Sequence, residues 1–222
     1  MKKILALTSA VILSLALSSC TSKSDEAASD IAATPSVIET CEPTTAVGHE
    51  PLAVEPPTEA RSNLPKTFTF ITNCGDIEIT TVGSKAPFTL TSLATLAEAG
   101  FYDDSLCHRL TTQGLYVLQC GDPTATGSGG PTYSVADENL PQQIENNYPA
   151  GTVAMANSGP NTNGSQFFLV FDDTTLGANY TIWGEITQGL DIVKAIAAAG
   201  VVGGAGDGTP LQSVQINKVV VK

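Results

Sequence analysis

The feature that most constrains the fold is a series of short stretches in which apolar and polar residues alternate, beginning at Thr67. Residues Thr67–Thr72 alternate in this way, Asn73–Asp76 have the composition of a turn, and Ile77–Val82 alternate again. The chain ends in a valine-rich stretch over 214–221. Because side chains alternate between the two faces of a strand, each stretch predicts a short β-strand, and the first two predict a hairpin.

Two segments with helical patterns interrupt the strands. In the first, Pro87 suits the first turn of a helix and Gly100 suits its end. The second covers about residues 190–198 and is followed by Gly200. Many short strands with two isolated helices predict a mainly β fold, a closed β-barrel with the two α-helices over its ends. We place this domain at residues 65–222.

The first twenty residues have the pattern of an export signal. Lys2 and Lys3 precede an apolar stretch over 4–17, and small residues lead from there to Cys20. This ending resembles a bacterial lipobox, in which the signal peptide is removed before a cysteine that receives lipid. An apolar stretch of about fourteen residues is too short for a membrane span, which needs ~20. We therefore expect a signal peptide over 1–19, and a mature protein attached to the cell membrane through lipid on Cys20, outside the cytoplasm.

The composition changes between the signal and the domain. Residues 20–64 are rich in Ser, Ala, Thr, Glu and Pro and contain no aromatic residue. Such a stretch buries too little apolar surface to offset the entropy lost on ordering. We therefore predict a flexible tether over 20–64.

Charge and cysteine usage exclude several classes of partner. The formal net charge is −12 and the chain has no cluster of Lys and Arg, so we expect no nucleic acid partner. None of the cysteines lies in a CxxC pair, and His49 and His108 are the two histidines. We therefore expect no metal site, and no other feature calls for a cofactor.

Two longer motifs carry the chemistry. The first runs over 101–110 (FYDDSLCHRL) and continues in QCGDP at 119–123, and the second is MANSGPNTNGSQFF at 155–168. Both closely resemble the signature segments of cyclophilins, and the order and spacing agree from about Thr67 to the end. The cysteine-bearing forms resemble an actinobacterial branch. The resemblance implies an eight-stranded antiparallel barrel, a surface groove that binds X-Pro peptides, and peptidyl-prolyl cis-trans isomerase activity.

The resemblance also assigns the site. It implies Arg109 as the catalytic residue, with Tyr180 in place of a histidine that is common in the family. The loop Thr111–Leu115 is about two residues longer than usual, so Tyr116 and Val117 stand where the family commonly has Phe and Met. The implied substrate-binding residues are Tyr116, Val117, Gln119, Ala156, Asn157, Gln166, Phe168, Leu176 and Tyr180.

The cysteines of the domain suggest a disulfide bond. Cys107 and Cys120 lie on the two arms of one predicted hairpin, and pairing Leu110 with Val117 would set them opposite each other. We predict a bond between Cys107 and Cys120. Cys41 and Cys74 would then remain, and whether they pair is left open.

Three features have structural interpretations. Phe167 and Phe168 must face opposite sides of a strand, so one belongs to the core and the other can line a pocket. His108 is the one histidine of the predicted domain and no serine motif accompanies it, so we expect a structural, hydrogen-bonded side chain. The glycine-rich run 203–208 follows a helix and precedes a strand, which is the reverse of a nucleotide-binding loop, and we interpret it as a turn.

The functional hypothesis follows from these points. We expect a monomeric prolyl isomerase that acts on proline-containing segments of exported proteins and assists their folding. The alternative is a proline-peptide-binding module or holdase that keeps the groove but has little turnover.

Overall fold

The computed structural model of the protein describes residues 41–222, so the predicted signal peptide and Cys20 lie outside the described residues. Within this range the chain forms ten β-strands and two α-helices. In chain order they are β1 Thr67–Thr72, β2 Gly75–Thr81, α1 Pro87–Glu98, β3 Ser105–Leu106, β4 Arg109–Thr112, β5 Tyr116–Cys120, β6 Thr152–Met155, β7 Phe167–Val170, β8 Ile182–Gln188, α2 Leu190–Ala199, β9 Asp207–Gly208 and β10 Gln215–Val221.

The strands form one antiparallel sheet in the order β3-β10-β1-β2-β8-β6-β7-β5-β4-β9. The expectation of a closed eight-stranded barrel is therefore corrected: the described residues form an open, curled ten-stranded sheet. The two additional strands, β3 and β9, are only two residues long and lie at the two ends of the order. Each pairs on one side only, β3 with β10 and β9 with β4.

The two ends of the sheet are brought together by the chain rather than by a strand ladder. Strand β3 ends at Leu106 and β4 begins at Arg109, so only Cys107 and His108 separate one edge region from the other. The amide of Cys107 donates to Val214 O on one side, at 2.9 Å, and the amide of His108 donates to Gln119 O on the other, at 3.1 Å. Cys107 and His108, which we call the seam, thus join the two edges of the curled sheet at this point.

The core fills the inside of the curled sheet and extends under the helices. Phe68 packs edge-on against the buried Trp183, with ring centroids 5.4 Å apart, and Phe167 also packs edge-on against this indole at 5.8 Å. Folding removes the large apolar surface of these aromatic side chains from water, and this burial is the main favourable term in folding.

Both predicted helices are present. Helix α1 begins at Pro87, whose fixed φ suits the first turn, and buries Leu90 and Leu93 against the sheet. Helix α2 ends before Gly200, where a positive φ of 88° favours glycine. Within residues 41–222 none of the helices combines the length and apolar character that crossing a membrane requires.

Residues 41–64 differ from the tether that the sequence led us to expect. This segment, which we call the extension, lies along the surface of the domain and is bonded to it at several points. Cys41 forms a disulfide with Cys74 in the β1–β2 turn, and Arg61 forms an ion pair of 2.7 Å with Glu98 of α1. The ordered unit therefore begins before Pro65, because polar and covalent contacts add to the small apolar burial of the extension.

The second disulfide joins Cys107 and Cys120, in agreement with the prediction. The register that led to it is corrected, since Val117 lies opposite Thr111 and not Leu110. Cys107 precedes β4, so its approach to Cys120 is not set by the paired register of β4 and β5.

Candidate functional site

The candidate site is built on the adjacent strands β4, β5, β7 and β6. Arg109 pairs directly with Gln119, Gln119 with Phe168, and Phe168 with Ala154. Directly paired residues point to the same face of a sheet, so three of the predicted site residues form one row across three strands. The antiparallel ladder, rather than a flexible loop, sets their spacing.

An apolar pocket of about 160 Å³ lies beside Arg109. Its floor is a small cluster of buried side chains, separate from the main core, that contains Phe168 and Val117. The ring of Tyr180 packs edge-on against Phe168 at 5.5 Å. The lining residues are Arg109, Leu115, Val117, Gln119, Ala156, Asn157, Phe168, Leu176 and Tyr180.

Two buried polar residues fix the rim of this pocket. Asn147 accepts a hydrogen bond from the amide of Leu176 at 2.9 Å and donates from Nδ2 to Leu176 O at 2.8 Å. The hydroxyl of Tyr148 accepts from the amide of Tyr180 and lies 3.1 Å from Tyr180 O. Burial raises the pKa of Tyr148 to about 12, so the hydroxyl stays protonated and keeps its donor. Leu176 and Tyr180 are therefore held in place although they lie in a loop.

The guanidinium of Arg109 is held from two sides. Its Nε donates to Oδ1 of Asp207 and its Nη2 to Oδ2, both at 2.7 Å, and its Nη1 donates to Gln119 Oε1 at 3.2 Å. Of the five N–H groups of an arginine, three are used in this way, which leaves two for a ligand in the pocket. The hydrogen bonds from Arg109 hold the pKa of Asp207 below its usual value, and those to Asp207 raise the pKa of Arg109.

A line of side-chain amides continues from Arg109 along the groove. Gln119 accepts from Arg109 and donates from Nε2 to Gln166 Oε1 at 2.9 Å. Gln166 in turn donates to Gly129 O at 2.9 Å. Each amide has its orientation set by its neighbours, so these amides are oriented before any ligand binds.

A second and larger pocket of about 400 Å³ adjoins the first and shares Gln119, Ala156 and Asn157 with it. We call it the glycine-lined pocket because Gly127, Gly129, Gly130 and Gly164 are among the residues around it. We call the two adjoining pockets together the groove.

Asp122 organises the loop that forms one wall of the glycine-lined pocket. Its fully buried carboxylate accepts hydrogen bonds from the amides of Thr124, Gly127 and Gly129, at 2.8, 2.7 and 3.0 Å. Burial alone would raise the pKa of Asp122, but these bonds and that from the Thr124 hydroxyl outweigh burial and lower it. A side chain at Gly129 would overlap the carboxylate, so the loop requires glycine there.

His108 does not make the hydrogen bonds that we expected of it. Both ring nitrogens are buried and neither has a partner among residues 41–222. Burial lowers the pKa of His108, with a smaller opposing contribution from Asp122, which favours the neutral ring. The side chain lies in the seam beside Gly127 rather than in the apolar pocket.

The structure brings most of the predicted site residues together. Gln166 lies in the glycine-lined pocket and reaches Arg109 through Gln119. Those that line the apolar pocket as predicted are Arg109, Val117, Gln119, Ala156, Asn157, Phe168, Leu176 and Tyr180.

Tyr116 is the exception and is corrected. It precedes Val117 on β5, so its side chain faces the opposite side of the sheet, where it packs on Phe171 at 5.9 Å. Leu115, just before the strand, lines the pocket instead.

Sequence reasoning missed three residues that lie at or beside the candidate site, Asp207, Asn147 and Leu115. Asp207 lies in the glycine-rich run that was interpreted as a turn, and that run does contain the short strand β9, which pairs with β4. An isolated carboxylate in such a run is the signal that would have drawn attention to it. Asn147 carries no comparable signal, because its role depends on backbone groups of a distant loop.

Within residues 41–222 no three side chains of His, Cys, Asp and Glu come together in a way that could hold a metal ion. The groove is instead lined by amides, hydroxyls, one guanidinium and apolar groups. This is a surface suited to binding a peptide backbone and an apolar side chain.

Comparison with known proteins agrees with this geometry. Residues 67–221 match the family model described as cyclophilin type peptidyl-prolyl cis-trans isomerase. A protein of Mycobacterium tuberculosis named probable peptidyl-prolyl cis-trans isomerase B is 45% identical over 162 residues, which cover 68% of this chain and 53% of that protein. A protein of Emericella nidulans named peptidyl-prolyl cis-trans isomerase-like 1 is 37% identical over 157 residues, which cover 69% of this chain and 93% of that protein.

The fold is also found among solved structures. A cyclophilin type peptidyl-prolyl cis-trans isomerase of Cryptosporidium parvum, determined in the presence of the dipeptide Ala-Pro, superposes with a TM-score of 0.61 and 26% identity. The match covers 70% of this chain and 98% of that one. The chain spans about half the length of the mycobacterial proteins named probable peptidyl-prolyl cis-trans isomerase B that it matches. From the family match over 67–221 and from these relatives, the chain belongs to the cyclophilin-type peptidyl-prolyl cis-trans isomerase family.

Proposed function

We propose that this protein catalyses cis–trans isomerisation of X-Pro bonds in exported proteins and so assists their folding outside the cytoplasm. The observation that carries the proposal is the position of the Arg109 guanidinium, with two N–H groups left for a ligand, at the edge of an apolar pocket. The names of the relatives and the Ala-Pro dipeptide present with one of them support the substrate class.

The chemistry follows from the electronic structure of the amide. Rotation about a peptide bond is slow because the nitrogen shares its lone pair with the carbonyl, which gives a barrier of ~18–20 kcal/mol. In the twisted transition state this conjugation is lost and the nitrogen becomes a hydrogen-bond acceptor. Arg109 stays charged at every relevant pH and can donate to that nitrogen. The bond is stronger in the twisted state than in the planar one, and this difference is what accelerates the reaction.

Arg109 alone does not account for efficient catalysis. A hydrogen bond from a charged donor contributes about 1.5–3 kcal/mol, whereas a millionfold acceleration needs about 8 kcal/mol. The remainder has to come from positioning. Phe168 and Leu176 hold the proline ring while the amides of Gln119 and Asn157 hold the backbone, so that rotation occurs about one bond in a fixed frame.

An assay of proline-peptide isomerisation with the purified protein tests this proposal. The unaltered protein is expected to accelerate exchange, and Arg109→Ala is expected to lose about ten- to a hundredfold in kcat/KM, the equivalent of one charged hydrogen bond. Arg109→Lys is the matched variant, which keeps the charge but loses the planar donor arrangement. Equal activity in the Ala variant would overturn the assigned mechanism.

The rival function, a binding module with little turnover, makes a different prediction. It requires saturable binding of proline peptides without any effect on cis–trans exchange. Catalytic amounts of an isomerase broaden the NMR signals of the two peptide forms, whereas a holdase leaves them sharp. Sharp signals at saturating peptide would favour the rival.

The proposed location outside the cytoplasm is inferred from the first twenty residues, where basic residues and an apolar stretch precede Cys20. We expect the native protein in the membrane fraction, with a lipid mass on the peptide that begins at Cys20. A Cys20→Ala variant is expected to lack that lipid. Recovery of the unaltered protein in the aqueous fraction with an unmodified Cys20 would contradict the anchor.

A further inference from the structure

We propose that the extension, residues 41–64, is part of the substrate-binding site: Pro51 forms a wall of the glycine-lined pocket and contributes to binding the residues next to the X-Pro bond. This inference rests on the proposed function, since it takes the groove to be a peptide site. It concerns a segment outside the matched family region, which begins at residue 67.

The beginning of the extension is fixed to the domain by covalent and polar contacts. Cys41 is bonded to Cys74, and the amide of Glu42 donates to Asn73 O at 2.9 Å. The hydroxyl of Thr44 donates to the side chain of Gln215 on β10. These contacts hold the extension before it reaches the groove.

The middle of the extension lies on the loop that Asp122 organises. The amide of His49 donates to Pro123 O at 2.9 Å. A side chain at Gly48 would overlap the carbonyl of Thr124, so the two backbones are in direct contact. Pro51 follows two residues after His49 and lines the glycine-lined pocket. The extension therefore contacts the wall of the pocket and also adds to it.

The end of the extension is held by helix α1. The amide of Arg61 donates to the hydroxyl of Thr91 at 2.9 Å, and its guanidinium donates to Thr95 and to both carboxylate oxygens of Glu98. Val54 and Leu64 pack against the main core. Pro51 thus lies between two anchored ends, and its own fixed φ further limits its movement.

The lining of the pocket indicates what it accepts. It contains no charged side chain among the described residues, and its polar groups are amides and hydroxyls such as those of Asn157 and Ser165. An ionised side chain would lose its hydration there without gaining a partner. The pocket therefore takes an uncharged peptide residue, and because it shares Gln119 and Asn157 with the apolar pocket, one peptide can occupy both.

The test compares peptides of two lengths on the full chain. The short probe is a capped Ala-Pro amide, and the long probes carry two additional uncharged residues on one side or the other. The unaltered protein should have a higher kcat/KM for one long probe than for the short one. In Pro51→Trp this long-to-short ratio should fall about tenfold, which corresponds to ~1.4 kcal/mol of binding, and the change should appear in KM.

Pro56 provides the matched control, since it is an exposed proline in the same extension. Pro56→Trp should keep the ratio of the unaltered protein, and turnover of the short probe reports that each variant is folded. A smaller fall in Pro51→Gly would support the contribution of the proline ring itself.

Three results would overturn the inference: no gain from either long probe in the unaltered protein, an unchanged ratio in Pro51→Trp, or a raised ratio in Pro51→Gly, which would make Pro51 a competitor of the peptide. Failure of the unaltered protein to isomerise even the short probe would instead count against the proposed function.

Discussion

Arg109 and Asp207 lie 98 residues apart in the chain and meet in a two-point ion pair, with both N–O distances at 2.7 Å. The pair joins β4 to the short strand β9, and strand pairing between Thr111 and Asp207 sets the backbone beside it. A flexible arginine on an exposed strand end would sample many rotamers. Because the carboxylate binds both Nε and Nη2, the plane of the guanidinium is fixed at the edge of the apolar pocket.

The first prediction is that Asp207 positions Arg109, the residue proposed to be catalytic. Asp207→Asn keeps the shape but removes the charge and one acceptor oxygen, so we expect kcat to fall about two- to fivefold with little change in KM, as suits an exposed pair. Steady-state kinetics with a proline peptide would measure it. Asp76→Asn, at an exposed position in the β1–β2 hairpin, is the control and should have unchanged kinetics.

The second prediction concerns acid. Hydrogen bonds from Arg109 lower the pKa of Asp207, so the pair is intact above the ordinary aspartate pKa of ~3.9 and is lost as the pH falls through the lower pKa of the folded protein. We expect the contribution of Asp207 to kcat to be constant near neutrality and to disappear only in strong acid. The ratio of kcat for the unaltered protein and Asp207→Asn, measured against pH, checks this. A ratio that changes between pH 6 and 8 would contradict it.

The third prediction is that two adjacent phenylalanines have different roles, one in stability and one in substrate binding. Phe167 lies in the main core between Phe70 and Trp183, so Phe167→Ala should lower the free energy of unfolding by about 3–5 kcal/mol. Phe168 borders the apolar pocket, so Phe168→Ala should cost less stability and should raise KM for proline peptides. Denaturant titration and steady-state kinetics on both variants measure the contrast. Equal effects of the two substitutions on KM would contradict the assignment of Phe168 to the pocket.

The fourth prediction concerns the bond between Cys107 and Cys120. Replacing both cysteines by serine should lower the free energy of unfolding by about 2–4 kcal/mol, because the bond joins residues 13 positions apart and so restricts the unfolded chain. Well below the melting temperature, kcat/KM should stay within a few-fold, because the ladder itself keeps Arg109 opposite Gln119. Thermal unfolding followed by an assay at low temperature tests both parts. A loss of activity as large as that of Arg109→Ala would mean that the disulfide, not the ladder, sets the site.

The fifth prediction uses the buried imidazole of His108. Burial lowers its pKa below the ordinary value of ~6.5, so its contribution to stability is fully present above that pH and is lost as the pH falls through the pKa of the folded protein. His108→Gln cannot take up this proton. The stability difference between the two proteins should therefore shift in favour of the variant on going from pH 7.5 to pH 5, measured by denaturant titration at both values. A difference independent of pH would contradict a neutral, buried His108.

Much of the fold could be predicted from the sequence, since period-two alternation marks strands directly. Thr67–Thr72 is a strand as expected, and Pro87 and Gly200 mark helix ends as expected. The two-residue strands β3 and β9 could not be predicted, because two residues carry no periodicity. Strand β3 forms because it pairs with β10, and strand β9 forms because it pairs with β4.

The candidate site, too, could be predicted from the sequence only in part. Arg109 and Phe168 were identified by motifs, whereas the faces of Tyr116 and Val117 depended on a strand register that the longer hairpin loop obscured. The composition of the chain also predicted a flexible tether where the structure has the extension bonded to the domain. A low content of apolar residues predicts disorder when the burial of apolar surface is the only interaction that stabilises a segment. The extension is also stabilised by the disulfide at Cys41 and by the ion pair at Arg61, which do not depend on apolar residues.

The seam fixes the circumference of the curled sheet. Because only Cys107 and His108 lie between β3 and β4, an inserted residue between Leu106 and Arg109 would have to widen the gap between these two strands or displace Arg109. The loop between β4 and β5 has no such constraint, since lengthening it leaves the girth unchanged. Natural and engineered changes of length in this domain are therefore expected to be accepted in that hairpin loop and rejected at the seam.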